Sequence, residues 1–396
     1  MQAFPTSKKA FYEKLRRSKY VGFDMDHTIV KYKHYNLSVM IFDCLKKLMV
    51  KEKIYPKKIL QQPFVPECCV KGCILDIKNG NLVKIDQQKR VTRALHGDKI
   101  LDKKTIKEIY GEDRKLTKFT GLRKGGYWSV PTYFDLAEGI LFNRITAMND
   151  RGEFGTKRDG NSIFKTVFGS GSKLFRDYNF GEFYQRFPRN IPKYVNDNSF
   201  STLNILKTLK KMGKKTFLLT NSNPDYGTVL LNNLFRNEWK SYFDIILYSS
   251  KKPTFFDPDN NNPFIDAKTK KRTKLQFKGV YQNGNITELM NFFRIENGEE
   301  IVYFGDHPIT DLREAKINCN WTTLAIVEEL NYCTNEGHDE YINSRNSRNL
   351  LWGNYLQCGN NFSYWGDVFM KYTDHQVSDL GSFWEKWKGD WMLKNN

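Results

Sequence analysis

No run of about 18 or more consecutive apolar residues occurs in the chain, which argues against a membrane-spanning helix. The first residues, Met1-Gln2-Ala3-Phe4-Pro5, lack the apolar centre of a secretory signal. Cysteine is sparse: the 7 cysteines are odd in number and scattered, unlike a disulfide framework. A reducing, cytoplasmic setting is therefore expected. Internal repeats are absent, and the one low-complexity patch, Asp259-Asn260-Asn261-Asn262-Pro263, reads as a surface loop. What the chain has in excess is positive charge, a formal net of +19. Net charge speaks to association and not to fold. It fits attraction of an anion, or simply a lysine-rich soluble surface. The denser lysine runs, 207–215 and 268–274, are interleaved with no nucleic-acid-binding module. Neither a membrane nor a specific nucleic-acid partner is expected.

With 396 residues, 40% hydrophobic and 15% aromatic, the chain can bury a core of two or three structural units. Tyr20-Val21-Gly22-Phe23-Asp24 reads as a short buried strand. Residues 37–50 carry apolar side chains at helical spacing (Val39, Met40, Phe42, Leu45, Leu48, Met49). Residues 73–85 read as a hairpin turning at Lys78-Asn79-Gly80-Asn81. From about 101 to 200 the pattern is irregular, with one clear helix at 133–142. Order returns with a helix at 203–212 closed by Gly213, a strand at 216–220 and a helix at 226–234. Asn285-Ile286-Thr287-Glu288 has the form of a capping box opening a helix to Phe293, and Ile301-Val302-Tyr303-Phe304 is the next strand. Helices alternating with β-rich strands predict an α/β fold with a parallel, doubly wound sheet.

Four short motifs follow apolar strands. They are Gly22-Phe23-Asp24-Met25-Asp26-His27-Thr28, Leu219-Thr220-Asn221-Ser222, Lys252-Pro253, and Phe304-Gly305-Asp306-His307 with Asp311 beyond it. In a doubly wound sheet the site lies outside the carboxyl ends of the strands, so all four should meet on one rim. Several carboxylates on one rim call for a cation, and oxygen donors without a His or Cys cluster suit Mg²⁺. A carboxylate can attack phosphorus, and a second can protonate the leaving oxygen and later take a proton from water. A lysine and a Thr-Asn pair can hold phosphoryl oxygens. His27 and His307 flank the carboxylates and are expected to support them from behind or to face an inserted cap rather than to act in catalysis. Cys68, Cys69 and Cys73, with no partner pair at zinc spacing, read as core cysteines. Trp128, Tyr133 and Phe134 could stack on a base, but core packing is their expected use.

In this order the motifs resemble the haloacid-dehalogenase superfamily. Phe23-Asp24-Met25-Asp26-His27-Thr28, Thr220-Asn221-Ser222, Lys252-Pro253 with Phe255-Phe256, and Gly305-Asp306-His307 are similar to its cytosolic 5′-nucleotidase family. So are residues 72–97 and the tail around Tyr364-Trp365 and Lys371-Tyr372-Thr373-Asp374. The resemblance implies Asp24 as nucleophile and metal ligand. It implies Asp26 as general acid and base, with its carbonyl on the metal, and Thr28 orienting it. Thr220, Asn221 and Lys252 would bind the phosphoryl group, Lys252 also offsetting Asp24. Asp306 would ligate Mg²⁺, supported by Asp311. Pro253 favours Lys252 over its neighbour Lys251.

The resemblance further implies a Rossmann-like core of residues 1–32 and 201–340 and a cap inserted at 33–200, while the aromatics Trp352, Tyr355, Phe362 and Trp365 predict that the segment 341–396 packs on the body. The expected activity is Mg²⁺-dependent hydrolysis of a phosphate monoester, in first place a nucleoside 5′-monophosphate, by a protein that can self-associate. The alternatives are another small phosphate ester, or a binding or scaffolding role on the same fold.

Overall fold

The computed structural model describes residues 8–121, 125–176, 182–333 and 351–395. The chain divides into two compact units: Met1–Tyr32, Val195–Glu336 and Val368–Asn396 form the first, Lys33–Tyr194 and Gly337–Asp367 the second. Residues 341–350 of the expected tail segment lie outside the described residues.

The first unit is built on an eight-stranded sheet. Its order is Phe264–Asp266, Val280–Asn283, Ile245–Tyr248, Lys215–Leu219, Tyr20–Phe23, Ile301–Gly305, Thr322–Ile326 and His375–Val377. Every neighbouring pair is parallel except the edge pair Phe264–Asp266 with Val280–Asn283. The central strands are buried on both faces, which is why they read as near-continuous apolar runs rather than alternating ones. On one face Phe217, Leu219, Ile245, Leu247, Tyr303 and Trp321 pack with Phe255, Phe256 and the helical Ile286, Leu289 and Phe293. Val21, Phe23 and Leu218 alternate with these residues and point to the other face, where Phe304 lies 4.8 Å from Phe23 and 5.2 Å from Phe383 between ring centroids.

Local signals place the helices. Asn223 caps the helix Pro224–Phe235 through Tyr226 N, and Pro224 occupies its first turn. Asn285 Oδ1 accepts from Glu288 N at 2.8 Å and Asn285 Nδ2 donates to Glu288 Oε1 at 3.3 Å, so the side chains of both cap and partner are engaged.

The second unit holds a five-stranded antiparallel sheet ordered Lys99–Ile100, Val91–His96, Asn81–Ile85, Ile74–Asp76 and Tyr127–Ser129. The hairpin at Asn79-Gly80 falls where expected. The helix expected at 133–142 is displaced to Leu136–Asp150, and Gly160–Arg176 is a 17-residue helix where the sequence reads as irregular. Its pattern is obscured by Gly169 and Gly171, but Gly171 has a packing reason: a Cβ there would collide with the Glu138 carboxylate. Residues 351–367 are tied into the same unit, with Trp365 Nε1 donating to Gly72 O at 2.8 Å and Lys84 Nζ to Trp352 O at 2.7 Å.

Candidate active site

Four adjacent parallel strands deliver the motifs. Asp24 follows Tyr20–Phe23, Thr220 follows Lys215–Leu219, Lys252 lies just beyond Ile245–Tyr248, and Asp306 follows Ile301–Gly305. Asp24 N still donates to Phe304 O at 2.8 Å, and Thr220 N to Leu247 O at 2.9 Å, so both continue the sheet ladder into the loops. The backbone that fixes the sheet therefore also fixes these two side chains.

Lys252 is the centre of the cluster. Its Nζ donates to Asp24 Oδ1 at 2.8 Å, Asp311 Oδ1 at 2.5 Å, Leu219 O at 3.0 Å and Tyr303 Oη at 3.0 Å. Lys252, not Lys251, is the buried lysine, and it precedes Pro253 through a cis peptide bond. Burial opposes its charge, but the Asp24 and Asp311 carboxylates outweigh burial and hold the ammonium above its ordinary value. Burial also pushes the Asp24 carboxyl up to about 7, with the Asp311 and Asp26 charges adding to burial and Lys252 opposing it. Asn221 positions the lysine: Lys252 N donates to Asn221 Oδ1 at 2.7 Å, and Asn221 Nδ2 donates to Lys252 O at 3.0 Å.

Asp306 completes an acidic triad. One carboxylate oxygen each from Asp24, Asp306 and Asp311 lies within 4.8 Å of the others, and all three residues are buried. Gly305 makes the approach possible, because a Cβ there would come 2.5 Å from Asp311 Cβ. Three carboxylates facing one ammonium leave a net negative charge in a buried place, and every donor is oxygen. That set fits a hard divalent cation. His307 is a cap: its Nδ1 accepts from Ile309 N and Thr310 N, and its own N donates to Asp311 Oδ2 at 3.2 Å.

Asp26 has a different environment. It is half-buried, with Tyr32 Oη donating to Oδ1 at 2.5 Å and Ser222 Oγ donating to Oδ2 at 2.5 Å. Thr28 is buried in the same turn, but its Oγ1 makes no hydrogen bond among the described residues. The hydroxyls bonded to the Asp26 carboxylate are those of Tyr32 and Ser222. Thr220 Oγ1 accepts from Ser222 N at 3.2 Å, which folds the loop back on itself.

The sequence reading missed Tyr32, Tyr226 and Tyr303. All three are buried tyrosines whose hydroxyls meet the site, and along the chain they look like ordinary core aromatics. Burial, and after it the Asp26 charge, keeps the Tyr32 phenol protonated and therefore a donor. Elsewhere the expected core roles are seen: Tyr133 stacks on His34 at 3.6 Å, and Trp128 packs with Phe164 and Phe168. Cys68, Cys69 and Cys73 are buried free thiols, and no cysteine joins a metal-holding group among the described residues. Likewise no helix among them is long and apolar enough to cross a membrane.

Strand order, the four loops and the carboxylate–lysine cluster define a haloacid-dehalogenase-type phosphatase. The sequence matches the 5′ nucleotidase family model over residues 13–347, and the chain belongs to that family of phosphoric monoester hydrolases. It is 30% identical over 331 residues to human 5′-nucleotidase domain-containing protein 1, covering 78% of this chain and 71% of that protein. To human 5′-nucleotidase domain-containing protein 2 it is 27% identical over 337 residues, covering 80% and 61%. Among solved structures, L-2-haloacid dehalogenase from Xanthobacter autotrophicus aligns over 94% of this chain and 99% of its own at 12% identity, with a TM-score of 0.31.

Proposed function

We propose that the protein hydrolyses a nucleoside 5′-monophosphate through an aspartyl-phosphate on Asp24, with Mg²⁺ as cofactor. The observation that carries this reading is the bridge from Lys252 Nζ to Asp24 Oδ1 and Asp311 Oδ1 beside Asp306. It fixes one oxygen of Asp24 and leaves the other to attack phosphorus. Mg²⁺ would be held by carboxylates of Asp24 and Asp306 and the backbone carbonyl of Asp26, with Asp311 supporting. Bound there, it supplies charge neutralisation and polarises the phosphoryl oxygens.

The rest falls to the chain's own residues. Lys252 and Thr220 bind phosphoryl oxygens and stabilise the charge that develops on them. Asn221 contributes by holding the Lys252 backbone in place. Asp26 protonates the leaving oxygen and then takes a proton from the water that releases phosphate. The segment Lys33–Tyr194 of the second unit is inserted in the chain between the strands carrying Asp24 and Thr220, and its role in this reading is that of a cap, which excludes water and selects the leaving group. A cap favours a small substrate, and the net charge of +19 favours a dianion.

The test is phosphate release by the purified protein with Mg²⁺ across nucleoside monophosphates and sugar phosphates. Nucleoside monophosphates should inhibit turnover of a generic aryl phosphate at concentrations where free nucleosides and ribose phosphate do not. Equal competition by ribose phosphate would remove the base from the specificity, and absence of turnover on every ester would remove the enzymatic reading.

A further inference from the structure

Asp26 is gripped from both sides by hydroxyls to which the mechanism above gives no task. Tyr32 lies on the short strand Lys31–Tyr32, paired antiparallel with Val195–Asn196, and is fully buried. Its Oη donates to Asp26 Oδ1 at 2.5 Å and lies 2.9 Å from Tyr226 Oη. Because the Tyr32 proton points to Asp26, Tyr226 is the donor in that second contact. Tyr226 is fixed in turn: its backbone N donates to the Asn223 cap at 2.8 Å in the first turn of Pro224–Phe235. Asp26 Oδ1 is therefore anchored through two tyrosines to two separate elements. Oδ2 is held differently. Its partner is Ser222 Oγ, the hydroxyl of a half-buried serine that is free to rotate about one bond.

We propose that Tyr32 is a positioning residue for Asp26. By holding Oδ1 it presents Oδ2 to the oxygen of the leaving group, with Tyr226 bracing Tyr32 and Ser222 donating to Oδ2 when Asp26 is the carboxylate and turning away when Oδ2 carries the proton. This deepens the proposed function and rests on it. As an Asp24 oxygen bonds to phosphorus, the bond from phosphorus to the leaving oxygen breaks and its electron pair goes to that oxygen. The oxygen takes the proton from Asp26 Oδ2. Asp26 is left as the carboxylate that Tyr32 and Ser222 hold in the structure. In the second half it takes a proton from the attacking water as the bond between phosphorus and Asp24 breaks, and the starting state returns.

The test uses the leaving group. A nucleoside 5′-monophosphate expels an alkoxide-like oxygen that needs a proton, whereas nitrophenyl phosphate expels a stable phenolate that does not. Leaving-group release is measured in a single turnover, so that breakdown of the intermediate does not enter. In Tyr32→Phe, release from the nucleotide should slow about 10–100-fold with KM within about 2-fold, since mispositioning a catalytic acid forfeits part of a contribution of about 10²–10⁴. Release of nitrophenol should stay within about 3-fold of wild type. Tyr226→Phe should show the same asymmetry, smaller, and carries the test if circular dichroism shows Tyr32→Phe to be unfolded. Equal slowing of both esters, or no slowing of either, overturns the proposal. A wild-type protein that cleaves neither ester, or an Asp24→Asn variant that cleaves at the wild-type rate, overturns the proposed function itself and this inference with it.

Discussion

Asn221 and Lys252 clasp each other through one amide: Lys252 N donates to Asn221 Oδ1 at 2.7 Å and Asn221 Nδ2 returns a bond to Lys252 O at 3.0 Å. The clasp joins the loops after two neighbouring strands and sets where the ammonium points. Asn221→Ala should therefore lower kcat by at least about 10-fold, because a displaced catalytic group loses much of its orientation benefit. Stability should fall by about 1–3 kcal/mol through the unpaired backbone groups. Steady-state kinetics and a urea melt on the same preparation check both; unchanged kcat would mean Asn221 does not position the lysine.

Lys252→Met should do more damage. It leaves Asp24 and Asp311 facing each other in a buried place, and breaking a buried pair from one side destabilises by about 3–5 kcal/mol. A divalent cation can replace part of the missing charge, so Mg²⁺ should raise the melting temperature of this variant more than that of wild type. Asp306→Ala should abolish the rise in wild type. Calorimetry with and without Mg²⁺ reads all three, and a full Mg²⁺ response in Asp306→Ala would remove that residue from the ligand set.

Gly305→Ala tests the close approach of strand and carboxylate. The added methyl would lie 2.5 Å from Asp311 Cβ, so one of the two must move. Overpacking of this kind destabilises by about 1–3 kcal/mol, and the shift of Asp311 away from Lys252 should reduce kcat as well. Wild-type kinetics and melting would show the site to be more tolerant than its packing implies.

The four motifs were legible in the sequence because their chemistry needs particular side chains at strand ends, and the strands themselves are continuous apolar runs such as Phe217-Leu218-Leu219. The tyrosine hydroxyls were not. Nothing along the chain separates Tyr32 or Tyr303 from a packing aromatic, since what matters is which polar atom each meets at a separation of 6 or more positions. Thr28 shows the converse: its position in the motif implies a partner, yet the hydroxyls of Tyr32 and Ser222 hold Asp26 instead. The long helix Gly160–Arg176 was hidden because glycine, a poor helix former, is placed there for packing against Glu138.

His375 gives the protein a pH dependence remote from the motifs. Its ring stacks on Phe11 at 5.2 Å, its Nε2 is buried without a hydrogen bond among the described residues, and burial, helped by Lys386 and Lys8, lowers its pKa from 6.5 to about 4. Between those values the unfolded chain binds the proton and the folded one does not. The stability contributed by neutral His375 is thus complete above about pH 6.5 and lost as pH falls toward 4. His375→Phe, measured by denaturant melts from pH 7 to 4, should show a shallower loss than wild type; parallel curves would mean the ring titrates normally.

The central claim is that Asp24 carries the phosphoryl group during turnover. Acid-quenching the Mg²⁺-loaded protein during turnover of a phosphate-labelled nucleoside monophosphate, followed by peptide mapping, reads this directly. The account predicts label on the peptide containing Asp24 and none in Asp24→Asn, which should also lose turnover by several orders of magnitude. Rapid turnover with no covalent label in the wild type, or undiminished turnover by a folded Asp24→Asn protein, would contradict it.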